Sequence, residues 1–161
     1  MTIDELLARE EIKALRSAYS AHFDAHEVDA LAALFTEDAV CEFGPYGEWH
    51  GRDTIRANYA QVIGAIAAPF DTLHVATNPH LRITSPTTAI GRWYLIDLVA
   101  RQQPGIFESR GGHDHPLIYL GMYEDDYRKV DGRWLIAHGR LHFLWPEKAY
   151  KGLRHPSGSE S

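Results

Sequence analysis

The order of its periodicities constrains this chain more than any single motif. Helical patterning is confined to the first 68 residues, and from residue 70 to about residue 145 the character is β throughout. Residues 3–23 carry Ile3, Leu7, Ile12, Leu15, Tyr19 and Phe23 close to a helical period, and "HEVDALAALF" (26–35) repeats it with Val28, Leu31, Leu34 and Phe35. A third helical segment, "GRDTIRANYAQVIGAIAA", has Asp53 near its start and Pro69 after its end. Between them, "AVCEFGPYGEWHG" reads as short strand pieces broken at Gly44-Pro45 and Gly47. Strands are expected near 71–84, 88–101, 115–130 and 133–145, with turns at Ser85-Pro86 and at Asp131-Gly132, a strong tight-hairpin dipeptide. Helices first and strands later exclude an alternating βαβ layout and predict an α+β fold. Three N-terminal helices should pack on a strongly curved, mostly antiparallel sheet, leaving a pocket between the layers. Residues 1–147 are expected to form one domain, with 148–161 as a polar tail.

Composition narrows the partners. At 161 residues and 45% hydrophobic, the chain can bury one sizeable core. Its net charge is −6 and no stripe of Lys or Arg forms, which argues against nucleic acid or an anionic membrane as the main partner. The acidic, amphipathic start "MTIDELLAREEIKAL" has no apolar signal core, and no 18-residue apolar run occurs, so a cytoplasmic location is expected. A lone Cys41 excludes an internal disulfide.

The chemistry centres on "FDTLHVATNP" (70–79), where a histidine sits inside a strand pattern. Alternation along 70–83 groups Leu73, Val75, Leu81 and Ile83 on one face, and Thr72, His74, Ala76 and Asn78 on the other. Later strands carry bulky groups on both alternations, so both sheet faces should be covered, and a covered polar face describes a cavity lining. An imidazole base there needs a carboxylate to fix its tautomer. Asp24 is a candidate, because it lies where the first helix should end, beyond Tyr19 and Phe23. The competing reading is "DAHE" (24–27) as a helix capping box, which spacing alone favours. A metal reading rests on His113 and His115, an H-x-H pair without an acidic ligand close behind. His138 and His142 would lie about 13 Å apart along a strand, too far to share an ion.

The phrases "IKALRSAYSAHFDAHEVDALAALFTEDAV", "GRDTIRANY", "TLHVATNPHLRI" and "YEDDYRKVDGRWLIAHGRL" resemble the nuclear transport factor 2-like (SnoaL-like) family of cone-like α+β barrels, over most of residues 3–142. Within it, the pairing of Asp24 with His74 resembles the Asp–His dyad of the hexachlorocyclohexane dehydrochlorinases. Together with Tyr19 the pair resembles the Tyr/Asp/His set of the bile acid and scytalone dehydratases.

The resemblance implies a cofactor-independent lyase. His74 would take a proton from carbon, Asp24 would orient it, and Tyr19 would donate a hydrogen bond to the departing oxygen or to an acidifying carbonyl. Water, halide or formaldehyde would leave a small cyclic or aromatic substrate held among Trp49, Tyr94, Tyr119, Tyr123 and Phe143. A non-catalytic ligand binder or a ring-ketone isomerase of the same fold is the alternative. An isomerase would need a carboxylate base in the pocket, for which only Asp24 and Asp97 are candidates. The long segment 101–116 reads as a lid or a mobile connection. Relatives imply a homo-oligomer, trimer before dimer, joined through the outer sheet face.

Overall fold

A computed structural model of the chain describes residues 1–99, 117–146 and 148–154. The 101–116 segment, read as a lid or a mobile connection, the His113/His115 pair and the last seven residues lie outside the described residues.

Helix α1 (Ile3–Asp24) opens on a capping box: Thr2 accepts the Glu5 backbone N–H at 3.1 Å, and the Glu5 carboxylate accepts the Thr2 N–H at 2.7 Å. Its inward stripe, Ile12, Leu15, Tyr19 and Phe23, is buried. The second helix, α2 (Val28–Ala32), is shorter than its periodicity suggests, because Phe35 already belongs to strand β1 (Phe35–Glu42). After a single 3-10 turn at Gly44–Tyr46 come β2 (Glu48–His50) and α3 (Arg52–Gly64), whose Ile55, Tyr59 and Ile63 face the core at four-residue spacing. The four long strands are β3 (Thr72–Ser85), β4 (Thr88–Val99), β5 (Leu117–Val130) and β6 (Arg133–Trp145). Asp131 and Gly132 both take positive φ at the β5–β6 turn, as an Asp-Gly hairpin requires.

The sheet runs β2-β1-β6-β5-β4-β3, antiparallel except where β1 lies parallel to β6. The sequence shows the meander of β3 to β6 and short strand pieces in 39–51, but not that β1 begins at Phe35 and pairs with β6 to extend the sheet. The helices lie on the inner face of the open, curved sheet, and Arg9 ties α1 to β3 through the Leu81 carbonyl at 2.7 Å.

One irregularity in β3 corrects the sequence reading. Pairing with β4 shifts between Thr77 and His80, where Asn78 adopts φ 51°. Before the bulge Thr72 and His74 point inward and Leu73 and Val75 outward; after it, Leu81 and Ile83 point inward. The four apolar residues therefore do not share a face. The outer face of β3, β4 and β5 leaves Leu73, Val75, Tyr94, Ile96, Ile118 and Leu120 exposed. Its other half is polar. Glu124 and His142 are almost fully buried there, and Arg154 donates to Asp126 (3.2 Å), to Nδ1 of His138 (2.7 Å) and to the Glu124 carbonyl (2.8 Å). Residues 148–154 thus lie back along the sheet, and the Ala149 N–H reaches the Phe143 carbonyl at 2.8 Å.

Candidate active site

The site begins where α1 ends. The carbonyl of Asp24 accepts the Phe70 N–H at 2.7 Å, which sets the entry to β3 against the helix terminus. The Asp24 carboxylate does not cap α2: the N-cap is Glu27, without a side-chain cap bond, and His26 turns the chain through φ 62°. Both Asp24 oxygens turn to His74 instead. They accept its backbone N–H at 3.0 and 3.2 Å, and Oδ1 lies 2.7 Å from ring Nδ1. Two donors from one residue satisfy the carboxylate.

A carboxylate only accepts, so Nδ1 carries the ring proton and Nε2 is the basic atom. The His74 side chain is 7% exposed, and Phe23 packs on it with ring centres 4.2 Å apart. Facing Nε2 is Asp97 on β4, the strand partner of His74, with Oδ2 at 4.0 Å. Burial pushes the Asp97 carboxyl above its ordinary range, with His74 pulling it down and Asp24 adding to the rise. Its Oδ1 is buried without a hydrogen-bond partner among the described residues.

Tyr19 stands just over one helical turn before Asp24, its hydroxyl 2.8 Å from that of Tyr59. Burial pushes the Tyr19 phenol up to about 12, and Arg16 draws it the other way. His74, Asp97, Tyr19 and Tyr59 line a cavity between α1, α3 and the sheet that holds about 1,020 Å³ of empty space, its mouth included. Four of the five aromatic residues expected as its walls, Trp49, Tyr119, Tyr123 and Phe143, line it together with His74 and Tyr19. Tyr94 does not. Strand alternation turns its neighbours Trp93 and Leu95 inward and leaves Tyr94 on the outer face, 52% exposed. Phe23 also lines the cavity, and Phe43, Tyr46 and Tyr59, which were not singled out from the sequence, complete the aromatic lining. The Ile55–Tyr59–Ile63 spacing carried the signal for Tyr59. Among the described residues, no cluster of three or more His, Cys, Asp or Glu could hold a metal ion, and no helix is long and apolar enough to cross a membrane.

The arrangement is an imidazole held by a carboxylate, faced by a second carboxyl group and walled by aromatic rings. The chain belongs to the SnoaL-like domain family, whose model matches residues 4–140. Among solved structures it is similar to a scytalone dehydratase-like protein from Novosphingobium aromaticivorans, with 25% identity over all of both chains and a TM-score of 0.76. The hexachlorocyclohexane dehydrochlorinase LinA-type3 from Novosphingobium barchaimii shares the fold at 18% identity and a TM-score of 0.75, over 96% of this chain and 98% of that one. A Mycobacterium tuberculosis protein of unknown function does so at 23% identity and a TM-score of 0.72, over 86% of this chain and 73% of the other. Solved structures of this fold thus include a scytalone dehydratase-like protein, a dehydrochlorinase and a protein of unknown function.

Proposed function

We propose that this protein is a cofactor-independent lyase that eliminates water, halide or formaldehyde from a small cyclic or aromatic substrate. The observation that carries the reading is the 2.7 Å contact between His74 Nδ1 and Asp24, inside an aromatic cavity with Nε2 left as the base. In the elimination, Nε2 takes a proton from the carbon beside the leaving group, and the C–H electron pair becomes the new double bond as the leaving group departs. Asp24 stabilises the imidazolium so formed. The Tyr19 hydroxyl donates a hydrogen bond to the departing oxygen, or to a carbonyl that acidifies the carbon. Asp97, whose pKa burial raises, faces the same Nε2 at 4.0 Å from the other side of the ring.

The test is a panel of neutral hydroxylated and halogenated rings, hexachlorocyclohexane among them, followed by new conjugated absorbance and by release of halide or formaldehyde. His74→Ala should reduce turnover about 100- to 10,000-fold. A folded His74→Ala protein with wild-type turnover overturns the reading.

One observation favours a second reading. Asp97 places a carboxyl group of raised pKa in the cavity, as a ring-ketone isomerase requires. Product analysis separates the two, since isomerisation releases no small molecule, and a non-catalytic binder returns its ligand unchanged. The same proposal includes self-association, trimer before dimer, through the exposed apolar face of β3, β4 and β5.

A further inference from the structure

Arg16 is 2% exposed and lies on the inward stripe of α1, three residues before Tyr19. Its guanidinium carbon sits 3.3 Å from the ring centre of Tyr123 and 4.2 Å from that of Tyr19. The nearest acid is Asp125, but Nη1 to Oδ2 is 3.6 Å, beyond a hydrogen bond. That same Oδ2 accepts the Tyr127 hydroxyl at 2.7 Å, and the Tyr127 oxygen in turn accepts the Trp93 indole N–H at 2.9 Å. Nε and Nη2 of Arg16 have no hydrogen-bond partner among the described residues. The buried charge is therefore only partly neutralised by its acid, and it presses on two phenol rings of the cavity wall. A hydrophobic side chain would fill this volume with a smaller desolvation penalty, so the charge calls for a role beyond packing.

We infer that Arg16 is a positioning residue for Tyr19, a buried cation that polarises this phenol so that its hydroxyl binds a substrate oxygen on which negative charge develops. The geometry around Tyr19 suits that task. Tyr59 and Tyr123 both hydrogen-bond to it, and when both donate, Tyr19 keeps its own O–H for a ligand. Burial raises all three phenols and Arg16 lowers both Tyr19 and Tyr123, but Tyr59 and Tyr123 are also raised by their interactions with Tyr19, whereas Tyr19 is lowered by its bonds to them. Tyr19 is thus the phenol of the three most ready to share its proton. The inference rests on the reading that this cavity holds an oxygenated ring, and not on elimination itself.

The test uses ring-substituted 2-naphthols, whose absorbance and fluorescence distinguish naphthol from naphtholate, with naphthalene as the control lacking a hydroxyl. Wild-type protein should bind the naphthols more tightly as their pKa falls, and the bound probe should ionise at lower pH than the free one. Arg16→Met should weaken binding of the most acidic naphthol about tenfold relative to naphthalene, Arg16→Lys should retain part of the preference, and Tyr19→Phe should remove most of it. Naphthol affinity independent of pKa in the wild-type protein, or a folded Arg16→Met variant that keeps the full preference, overturns the role of Arg16 and leaves the dyad untouched. Failure to bind naphthalene and every naphthol overturns the underlying reading of the cavity, and this inference with it.

Discussion

Replacing Asp24 by asparagine strikes the dyad at its joint. The carboxylate serves two donors of one residue, the His74 backbone N–H at 3.0 Å on Oδ2 and ring Nδ1 at 2.7 Å on Oδ1. An asparagine offers a single oxygen. If that oxygen faces the ring, the amide NH₂ confronts the backbone N–H, and leaving buried donors unpaired costs about 1–3 kcal/mol. If the amide flips, its oxygen serves the backbone and its NH₂ donates to Nδ1. Every donor is then satisfied, but the ring proton must move to Nε2, the atom that has to accept the substrate's proton. Hydrogen bonding therefore selects the unproductive tautomer. Asp24→Asn should lose about 10³- to 10⁴-fold in kcat/KM, or about 4–5.5 kcal/mol of transition-state stabilisation. Asp24→Ala, which leaves the tautomer free, should lose no more than that. Imidazole ¹⁵N chemical shifts read the tautomer without any substrate, and should show the proton on Nδ1 in the wild type and on Nε2 in the Asn variant. An Asn variant that keeps its proton on Nδ1 and turns over within tenfold of wild type would refute the reasoning.

The second carboxylate and the outer face give two more tests. Because burial holds Asp97 above the ordinary carboxylate range, the folded chain binds its proton at a pH where the unfolded chain has released it. Its contribution to stability therefore falls as pH rises from the ordinary carboxylate range through the folded pKa. Asp97→Asn should melt above wild type at pH 8, with the gap closing as pH falls through that folded pKa; a lower melting temperature at pH 8 would contradict this. Self-association through the outer face predicts a multiple of the 18.2 kDa chain mass by light scattering, reduced to one chain by Ile96→Lys at the centre of the patch. A monomeric wild type at micromolar concentration counts against it.

What could be read in advance followed from local rules. The turns at Ser85-Pro86 and Asp131-Gly132 delimit the hairpins, and the stripe from Ile12 to Phe23 orients α1. Where two elements compete for one side chain, local rules fail. Spacing favoured Asp24 as a cap, yet two donors from His74, fifty residues away, outweigh it. Register was hidden for a related reason. A count back from Ser85↔Thr88 pairs His74 with Val99, and only the two register shifts along β3 bring it opposite Asp97. Such bulges depend on tertiary curvature, which no window of sequence contains. Tyr94 shows the same limit, because its aromatic character made it a wall residue while its parity against Trp93 put it outside.

These placements give the cavity two electrostatic ends. At one, Asp24 and Asp97 flank His74, so the imidazolium is the charge this end accommodates. At the other, the Tyr19 and Tyr59 hydroxyls meet, with the Arg16 cation behind the Tyr19 and Tyr123 rings. Along α1 a single aromatic ring, Phe23, separates them, packed 4.2 Å from the His74 ring and 6.5 Å from that of Tyr19. On the proposed reading, the substrate is a neutral ring with an acidic C–H at the His74 end and an oxygen at the tyrosine end. On that reading, proton removal at His74 would push electron density toward the tyrosines, so both ends would stabilise charge that exists only as the reaction proceeds, which is the condition for raising the rate rather than merely tightening binding. A substrate carrying a full anion at the His74 end would meet two carboxylates, and among the described lining residues no Lys or Arg could compensate it.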